Sequence, residues 1–332
     1  MNCRITAADP RIPVQPGTLL VEAAKRLVQT DRQNGLIHDG AEWRQVPDDR
    51  DKSFAAQQAP ARAGRPKSTP DHPMTPREAP IFLENVLAKA KQGWLQFGID
   101  GQEWVALASP QPVLPGAITF TPVDPTFQSW RGNAAECARG SVYSLLHAGT
   151  ALAVALPDSG IGFNNHWAGD SLPQQHLNGG SRPLGLDWLA IEQAILGQPA
   201  IKEGALVLWN NPRIYPVPAV IACGSDEFVA NALSDAVLTW DARDGRTGNL
   251  LFLGPHLGRP LTGVFFPRVS TWQKAVGFRS GAIAFCELAG VFVVSDSDEF
   301  DQIDRGIYNY MHFWRALRSV APAVGHVLRY KG

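Results

Sequence analysis

Two hydrophobic periods alternate along the chain, and the places where one gives way to the other mark out its elements. Between Thr18 and Thr30 the apolar residues Leu19, Leu20, Ala23, Ala24, Leu27 and Val28 recur at helical spacing, with Gly35 beyond the end. Helices are also expected over 81–91, Ala134–Leu146 and Leu186–Leu196, the last stopped by Gly197. Ser225–Leu238 carries the fullest helical signature: Ser225 as N-cap, Asp226 and Glu227 in the first turn, and a stripe of Phe228, Val229, Leu233 and Val237. Alternating or short apolar runs predict strands on both sides of an Asp100-Gly101 hairpin turn, over Ala117–Asp124 and Ala205–Trp209, and through Thr247–Phe252 and Gly263–Arg268. Val217–Ala222 reads as a strand at a sheet edge because of its prolines. Gly149–Pro157 fits a buried strand or the end of a buried helix, followed by a turn. The mixture gives an α+β class.

One segment breaks the pattern. Between Asp48 and Pro80 the sequence turns to Pro, Ala, Gln, Arg and Lys, which predicts a flexible loop over 49–80 between an N-terminal helical segment, 1–48, and a main domain, 81–332. The loop is either a plain surface linker or a basic flap bringing Arg62, Arg65 and Lys67 to a phosphate-bearing substrate. With 332 residues, 45% hydrophobic and 18% charged, the chain can bury a large core, and 1–48 can pack into the same domain. A formal net charge of -1 offers no electrostatic footprint for nucleic acid. The four cysteines, Cys3, Cys137, Cys223 and Cys286, are scattered without a Cys-x-x-Cys pair, so neither a zinc site nor a disulfide framework is signalled. With no apolar run near the roughly 18 residues of a membrane span and no basic, apolar leader, a cytoplasmic protein without a membrane partner is expected.

The candidate chemistry gathers in 162–178. Asn164 and Asn165 offer amide donors, Gly169, Asp170 and Ser171 make a loop whose N–H groups and hydroxyl suit an anion, and Gln174, His176 and Asn178 alternate as one face of a strand. An imidazole between two amides and facing a phosphate-sized nest has the makings of a nucleophile. The plainer reading of His176 is a hydrogen-bonded histidine at a strand end, and His166 serves equally as a structural or a substrate-contacting residue.

The order Phe163-Asn164-Asn165…Ala168-Gly169-Asp170-Ser171-Leu172-Pro173-Gln174-Gln175-His176-Leu177-Asn178 resembles the histidine-triad superfamily. The branch it resembles holds galactose-1-phosphate uridylyltransferase, diadenosine tetraphosphate phosphorylase and the plant GDP-galactose phosphorylases. There the loop runs Phe-Asn-Ser-Gly…Ala-Gly-Ala-Ser-x-Pro-His-x-His-x-Gln, and the second histidine takes the nucleotidyl group. His176 matches that nucleophile; Gln174 stands where the family has its first histidine and Asn178 where it has glutamine. Thr247-Gly248-Asn249-Leu250-Leu251 with Pro267-Arg268, and Arg279…Glu287-Leu288-Ala289-Gly290-Val291 with Glu299-Phe300, are similar to later segments of the same branch. The resemblance covers about residues 105–303. Upstream, Ala117 and Asp124 replace two family histidines.

The resemblance implies a histidine-triad-like antiparallel sheet in two related halves with packed helices. It also implies catalysis by His176, Gln174 and Asn178, and nucleotide or phosphate binding by Asn164, Asn165, Gly169, Asp170, Ser171, Asn249, Arg268 and Arg279. The reaction would be nucleotidyl transfer or phosphorolysis through a nucleotidyl-histidine. Its substrates would be a nucleotide or sugar nucleotide together with inorganic phosphate or a sugar phosphate. No cofactor or protein-bound metal is required, although Mg²⁺ can accompany the substrate. For Arg268 and Arg279 a surface ion pair, and for Asn249 a turn, are the bland alternatives. Three functions stay open: sugar-nucleotide chemistry, cleavage of dinucleoside polyphosphates, and a non-catalytic nucleotide-binding protein. Oligomeric state is open too, a homodimer included.

Overall fold

The computed structural model describes residues 3–37, 42–47, 53–59, 84–85, 87, 92–110, 112, 114–124, 139–157, 159–165, 176–181, 204–209, 215–241, 246–256, 260–269, 277–279 and 283–322. A ten-stranded antiparallel sheet organises them. In chain order its strands are β1 (Ile5–Ala8), then, after the β2–β3 pair described below, β4 (Trp94–Ile99), β5 (Gln102–Ala108), β6 (Ile118–Pro122), β7 (Ser159–Asn164), β8 (Leu177–Ser181), β9 (Ala205–Trp209), β10 (Ala219–Gly224), β11 (Arg246–Leu253) and β12 (Leu261–Val269). Across the sheet they lie β1-β4-β5-β6-β8-β7-β11-β12-β10-β9. The sequence β5-β6-β8-β7 thus mirrors β9-β10-β12-β11 about the central β7–β11 pair, and each half inserts one helix before its central strand, α2 (Arg139–Ala155) before β7 and α3 (Asp226–Asp241) before β11. These are the two related halves.

One face of this sheet is covered by α1 (Leu20–Gln33), α2 and α3, whose apolar residues share a core with Phe97, Phe120, Phe163, Leu250, Phe252 and Phe265. On the other face a three-stranded sheet covers the second half: β2 (Trp43–Pro47), β3 (Ser53–Gln58) and β13 (Val291–Val294), ordered β13-β3-β2. It is joined there by α4 (Phe285–Leu288), α5 (Ser297–Asp304) and α6 (Tyr310–Val320) around Phe54, Leu251, Phe266, Phe278, Phe292 and Phe313. Over the first half this second face carries a small cluster of Val105 and Leu107, with Trp94 and Val123 against them, and Leu114 against Gly180 of β8.

Most expected elements are present at their expected places. The β4–β5 hairpin turns at Asp100 and Gly101, both at positive φ (49° and 75°), as a two-residue turn with the twist of the strands demands. The Asp100 carboxylate pairs with His147 of α2, which stacks on Tyr143. Ser225 caps α3, its hydroxyl accepting from the Phe228 amide at 3.2 Å. Gly149–Pro157 is a helix end, and α2 continues to Ala155.

Two readings are corrected. The stretch expected to be a loop over 49–80 contains β3, because Phe54, Ala55 and Ala56 are apolar enough to bury between β2 and β13; residues 60–83 lie outside the described set. And β10 is internal, paired to both β9 and β12, since Pro216 and Pro218 fall before its first ladder residue. The helix expected over 186–196 lies outside the described residues.

Candidate functional site

The site grows out of strand register. In β7 the residues facing away from the core under the long helices are Gly160, Gly162 and Asn164, while Ile161 and Phe163 enter that core. Asn164 is therefore the first side chain that β7 presents there. β7 pairs with β8 as Gly162↔Asn178 and Phe163↔Leu177, and with β11 as Asn164↔Asn249. The β7–β8 ladder ends at Phe163↔Leu177, and His176 immediately precedes β8, at the end where Asn164 closes β7. Asn164 and Asn249 thus form a polar row across β7 and β11, with His176 entering at the neighbouring end of β8.

Hydrogen-bond polarity along this row is determined by its two ends. The Phe285 amide and the Arg268 guanidinium can only donate. Phe285 N–H donates to Asn164 Oδ1 at 2.8 Å, so that atom is the oxygen. Asn249 must then turn its nitrogen to it, and does, Nδ2 donating to Asn164 Oδ1 at 2.8 Å. Asn249 Oδ1 in turn accepts from Arg268 Nη1 at 2.8 Å. Both lone pairs of Asn164 Oδ1 are spent, and its Nδ2 has no partner among the described residues. Along β8, Asn178 Oδ1 accepts from the Thr119 hydroxyl at 3.2 Å, which leaves its Nδ2 as a second unengaged donor among the described residues. His176 itself is half-buried.

Gly162 makes room for this arrangement. A Cβ there would fall 2.1 Å from the Phe285 ring, so only glycine lets that ring lie against β7 and bring its own amide to Asn164. Beneath the row, Arg268 and Asn249 are fully buried. Arg268 Nη1 also donates to the Ile283 carbonyl, while its Nε has no hydrogen-bond partner among the described residues. Burial pushes the guanidinium pKa down to about 10, against the opposing field of Glu287, so it remains charged near neutral pH. Glu287 is itself buried and accepts the amides of Ala284 (2.8 Å) and Val293 (3.2 Å), fixing the α4 turn that carries Phe285.

Arg279 is placed elsewhere. Its backbone N–H donates to buried Glu299 at 2.7 Å, and its half-exposed guanidinium lies 3.8 Å from Asp296, which together with Tyr308 holds its pKa up. Asn165 follows β7 and is buried. Gly169, Asp170, Ser171 and Gln174 lie outside the described residues, as does His166. Sequence reasoning missed Phe285, the Ile283 carbonyl, Thr119 and the part played by Gly162. The alternation Gly160-x-Gly162-x-Asn164 was the signal for the last. No group of three or more metal-binding side chains occurs among the described residues, and Cys3, Cys223 and Cys286 are buried and outside any disulfide. A groove of about 450 Å³ between α1 and the Ser159 end of β7 lies away from Asn164.

No protein-family model and no curated protein matches the chain. Solved structures do. Yeast Ap4A phosphorylase Apa2 in complex with Ap4A superposes with a TM-score of 0.62 at 13% identity, over 91% of this chain and 97% of that one. Apa2 in its own crystal structure and in complex with AMP give TM-scores of 0.58 and 0.53, each at 14% identity, covering 91% and 90% of this chain and 94% of the other in both cases. The fold is the histidine-triad-like one. At this identity the likeness establishes architecture alone. Within the histidine-triad-like fold, His176, Asn164 and Asn178 occupy neighbouring ends of β7 and β8 beside the pseudo-symmetric centre. No helix among the described residues is long and apolar enough to cross a membrane.

Proposed function

We propose that the protein is a nucleotidyltransferase or phosphorylase in which His176 is nucleotidylated. The observation that carries this reading is the β7–β8 ladder, which brings His176, at the entry to β8, to the Asn164 end of β7, where the Asn164 and Asn178 amides have their oxygens already engaged. A nucleophilic imidazole needs donors where negative charge accumulates, and these two amides supply them without a competing internal acceptor among the described residues. The architecture shared with an Ap4A phosphorylase supports the same reaction class.

In the first step a neutral His176 imidazole nitrogen attacks the α-phosphorus of a nucleoside diphosphate derivative. A nitrogen–phosphorus bond forms, the bond from phosphorus to the bridging oxygen breaks, and the distal phosphate or sugar phosphate leaves with the electron pair. In the second step an oxygen of inorganic phosphate or of a sugar phosphate displaces the imidazole and collects the nucleotidyl group. Asn164 and Asn178 hold the non-bridging oxygens, and Gly169, Asp170 and Ser171 cradle the remaining phosphate. Gln174 donates where a triad histidine otherwise would. Arg279, held beside Asp296, takes no part in this scheme. No protein-bound metal enters this scheme, and Mg²⁺ would arrive on the substrate. Sugar nucleotides are the leading substrate class; dinucleoside polyphosphates are the second, favoured by the complex that the fold resembles.

The test is incubation with α-³²P-labelled nucleotides from both classes, with and without phosphate. Acid-labile, base-stable label on the wild-type protein that disappears in His176→Ala is the expected result, and His176→Gly should regain turnover with added imidazole. Equal labelling or turnover in His176→Ala refutes the proposal, and nucleotide binding with neither label nor products indicates the binding protein instead.

A further inference from the structure

A fully buried guanidinium is an expensive way to hold one asparagine. Taking Arg268 out of water costs several kcal/mol, more than neutral hydrogen bonds to an amide and a carbonyl return. Its hydrogen bonds go to the Asn249 Oδ1 and the Ile283 carbonyl, and one nitrogen lacks a described partner. A plain core position would be filled by an apolar side chain, as Val264 and Phe266 fill the neighbouring positions on the same face of β12. What the arrangement does supply is direction. Arg268 can only donate, so Asn249 turns its oxygen to Arg268 and its nitrogen to Asn164, and Asn164 spends its oxygen on Asn249 and the Phe285 amide and keeps its nitrogen outside the relay.

We propose that Arg268 and Asn249 are positioning residues that never touch the substrate. They form a buried relay that locks the Asn164 amide with its NH₂ group toward the phosphoryl oxygens and places a desolvated positive charge beneath the site. This rests on the nucleotidyl-transfer reading above. An asparagine amide free to flip would present an oxygen to an anionic substrate half of the time; the relay removes that state. Chains of hydrogen bonds also polarise one another, so the charge on Arg268 makes the terminal Asn164 N–H a stronger donor. The second amide beside His176, on Asn178, is held only by a neutral hydroxyl, Thr119, among the described residues. The donor tied to the charge is therefore the one expected to carry transition-state stabilisation.

Asn249→Asp is the decisive variant because it keeps shape and reverses polarity. The introduced carboxylate still accepts from Arg268, now as an ion pair, but it offers an acceptor to Asn164. Asn164 then faces an acceptor on the introduced carboxylate and a donor on the Phe285 amide, so one of the two contacts is lost whichever way it turns and the amide is no longer held in one direction. The expected result is a folded protein whose kcat falls by about 100-fold or more, the loss seen when one oriented oxyanion donor is removed, with KM changed much less. AMP and UMP should bind more weakly than to wild type, while adenosine and uridine bind equally well. Arg268→Gln, which preserves the donor and drops the charge, should lose no more than about tenfold, in keeping with a neutral replacement for a charge-assisted bond. Folded Asn249→Asp with wild-type kcat and wild-type AMP and UMP affinity overturns the relay, whatever the reaction is. Should Asn249→Asp fail to fold, Arg268→Gln decides: kcat and AMP affinity equal to wild type overturn the relay, and a drop in kcat at unchanged KM and melting temperature supports it. The separate outcome of a wild type that binds AMP or UMP but never labels His176 refutes the reaction while leaving the mononucleotide comparison to test the relay.

Discussion

Replacing Gly162 with alanine adds one methyl group and should be among the most damaging small changes in the molecule. The new Cβ would stand 2.1 Å from Phe285 Cδ2 and 2.3 Å from both Cε2 and Cγ. Carbon atoms settle at about 3.5–4.0 Å, so the ring must retreat by roughly 1.5 Å, and the contact is with its base rather than its flexible far edge. Overpacking of this kind costs about 1–3 kcal/mol. Because Phe285 also donates its amide to Asn164 Oδ1, the retreat stretches that bond and adds about 1 kcal/mol. The sum, roughly 2–4 kcal/mol, corresponds to a fall in Tm of about 3–6 °C for a chain of this size. Differential scanning calorimetry reads it directly. Gly98→Ala is the control: its Cβ would meet only the Gln102 carbonyl at 3.9 Å, and it should lose nothing. In a Phe285→Leu background the Gly162→Ala penalty should shrink, the coupling expected of residues in contact. A Gly162→Ala protein melting with the wild type, or one whose penalty is the same in both backgrounds, refutes the packing argument.

Ser225→Ala removes the hydroxyl that accepts the Phe228 amide at the start of α3, and should cost about 1 kcal/mol in urea unfolding with an unchanged m value. Asp31 is buried against the Gly93 amide, and burial raises its pKa above the ordinary carboxylate value. A carboxyl whose folded pKa is raised binds its proton more readily when folded, so its contribution is most favourable at acid pH and is lost as pH rises through the folded value. The Tm of Asp31→Asn relative to wild type should therefore climb as pH goes from about 4, the unfolded carboxylate value, to 7; a flat or falling difference contradicts the burial argument. Asp9 has the opposite sign. The Arg11 hydrogen bonds hold its pKa down, so the stability it lends is present above the unfolded carboxylate value and disappears as pH falls through the folded one, and Asp9→Asn should flatten the acid limb of the wild-type Tm profile.

The sheet was largely legible because its strands are short apolar or alternating runs separated by Gly, Pro and Asp turns. The Asp100-Gly101 turn and the capped helix at Ser225 could be read residue by residue. What escaped was anything depending on a distant partner. β3 hides in a polar neighbourhood, and only its parallel pairing with β13, more than 230 positions away, gives Phe54 and Ala56 somewhere to be buried. β10 looked like an edge because prolines precede it, yet hydrogen-bond demand begins only at Ala219. At the site, strand period predicted a face shared by Gln174, His176 and Asn178, whereas β8 begins only at Leu177. The partners that orient Asn164 come from β11, β12 and α4, at separations of 85 to 121 residues for its direct hydrogen bonds, and no local pattern encodes them.

The polar row across β7 and β11 shows why these partners have to be distant. A donor aimed at an anion holds its direction only if its own acceptor is already saturated, and saturation in a buried place requires groups that cannot reverse their roles. Backbone amides and guanidinium groups meet that condition, whereas hydroxyls and free amides do not. Asn164 is saturated by one of each kind, the Phe285 amide directly and Arg268 through Asn249, arriving from two sides of the central strand. Asn178 is saturated by a hydroxyl that could itself turn. The two amides beside His176 are thus unequal by construction: Asn164 is fixed in direction by the packing of the second half of the sheet, and Asn178 keeps the freedom to adjust.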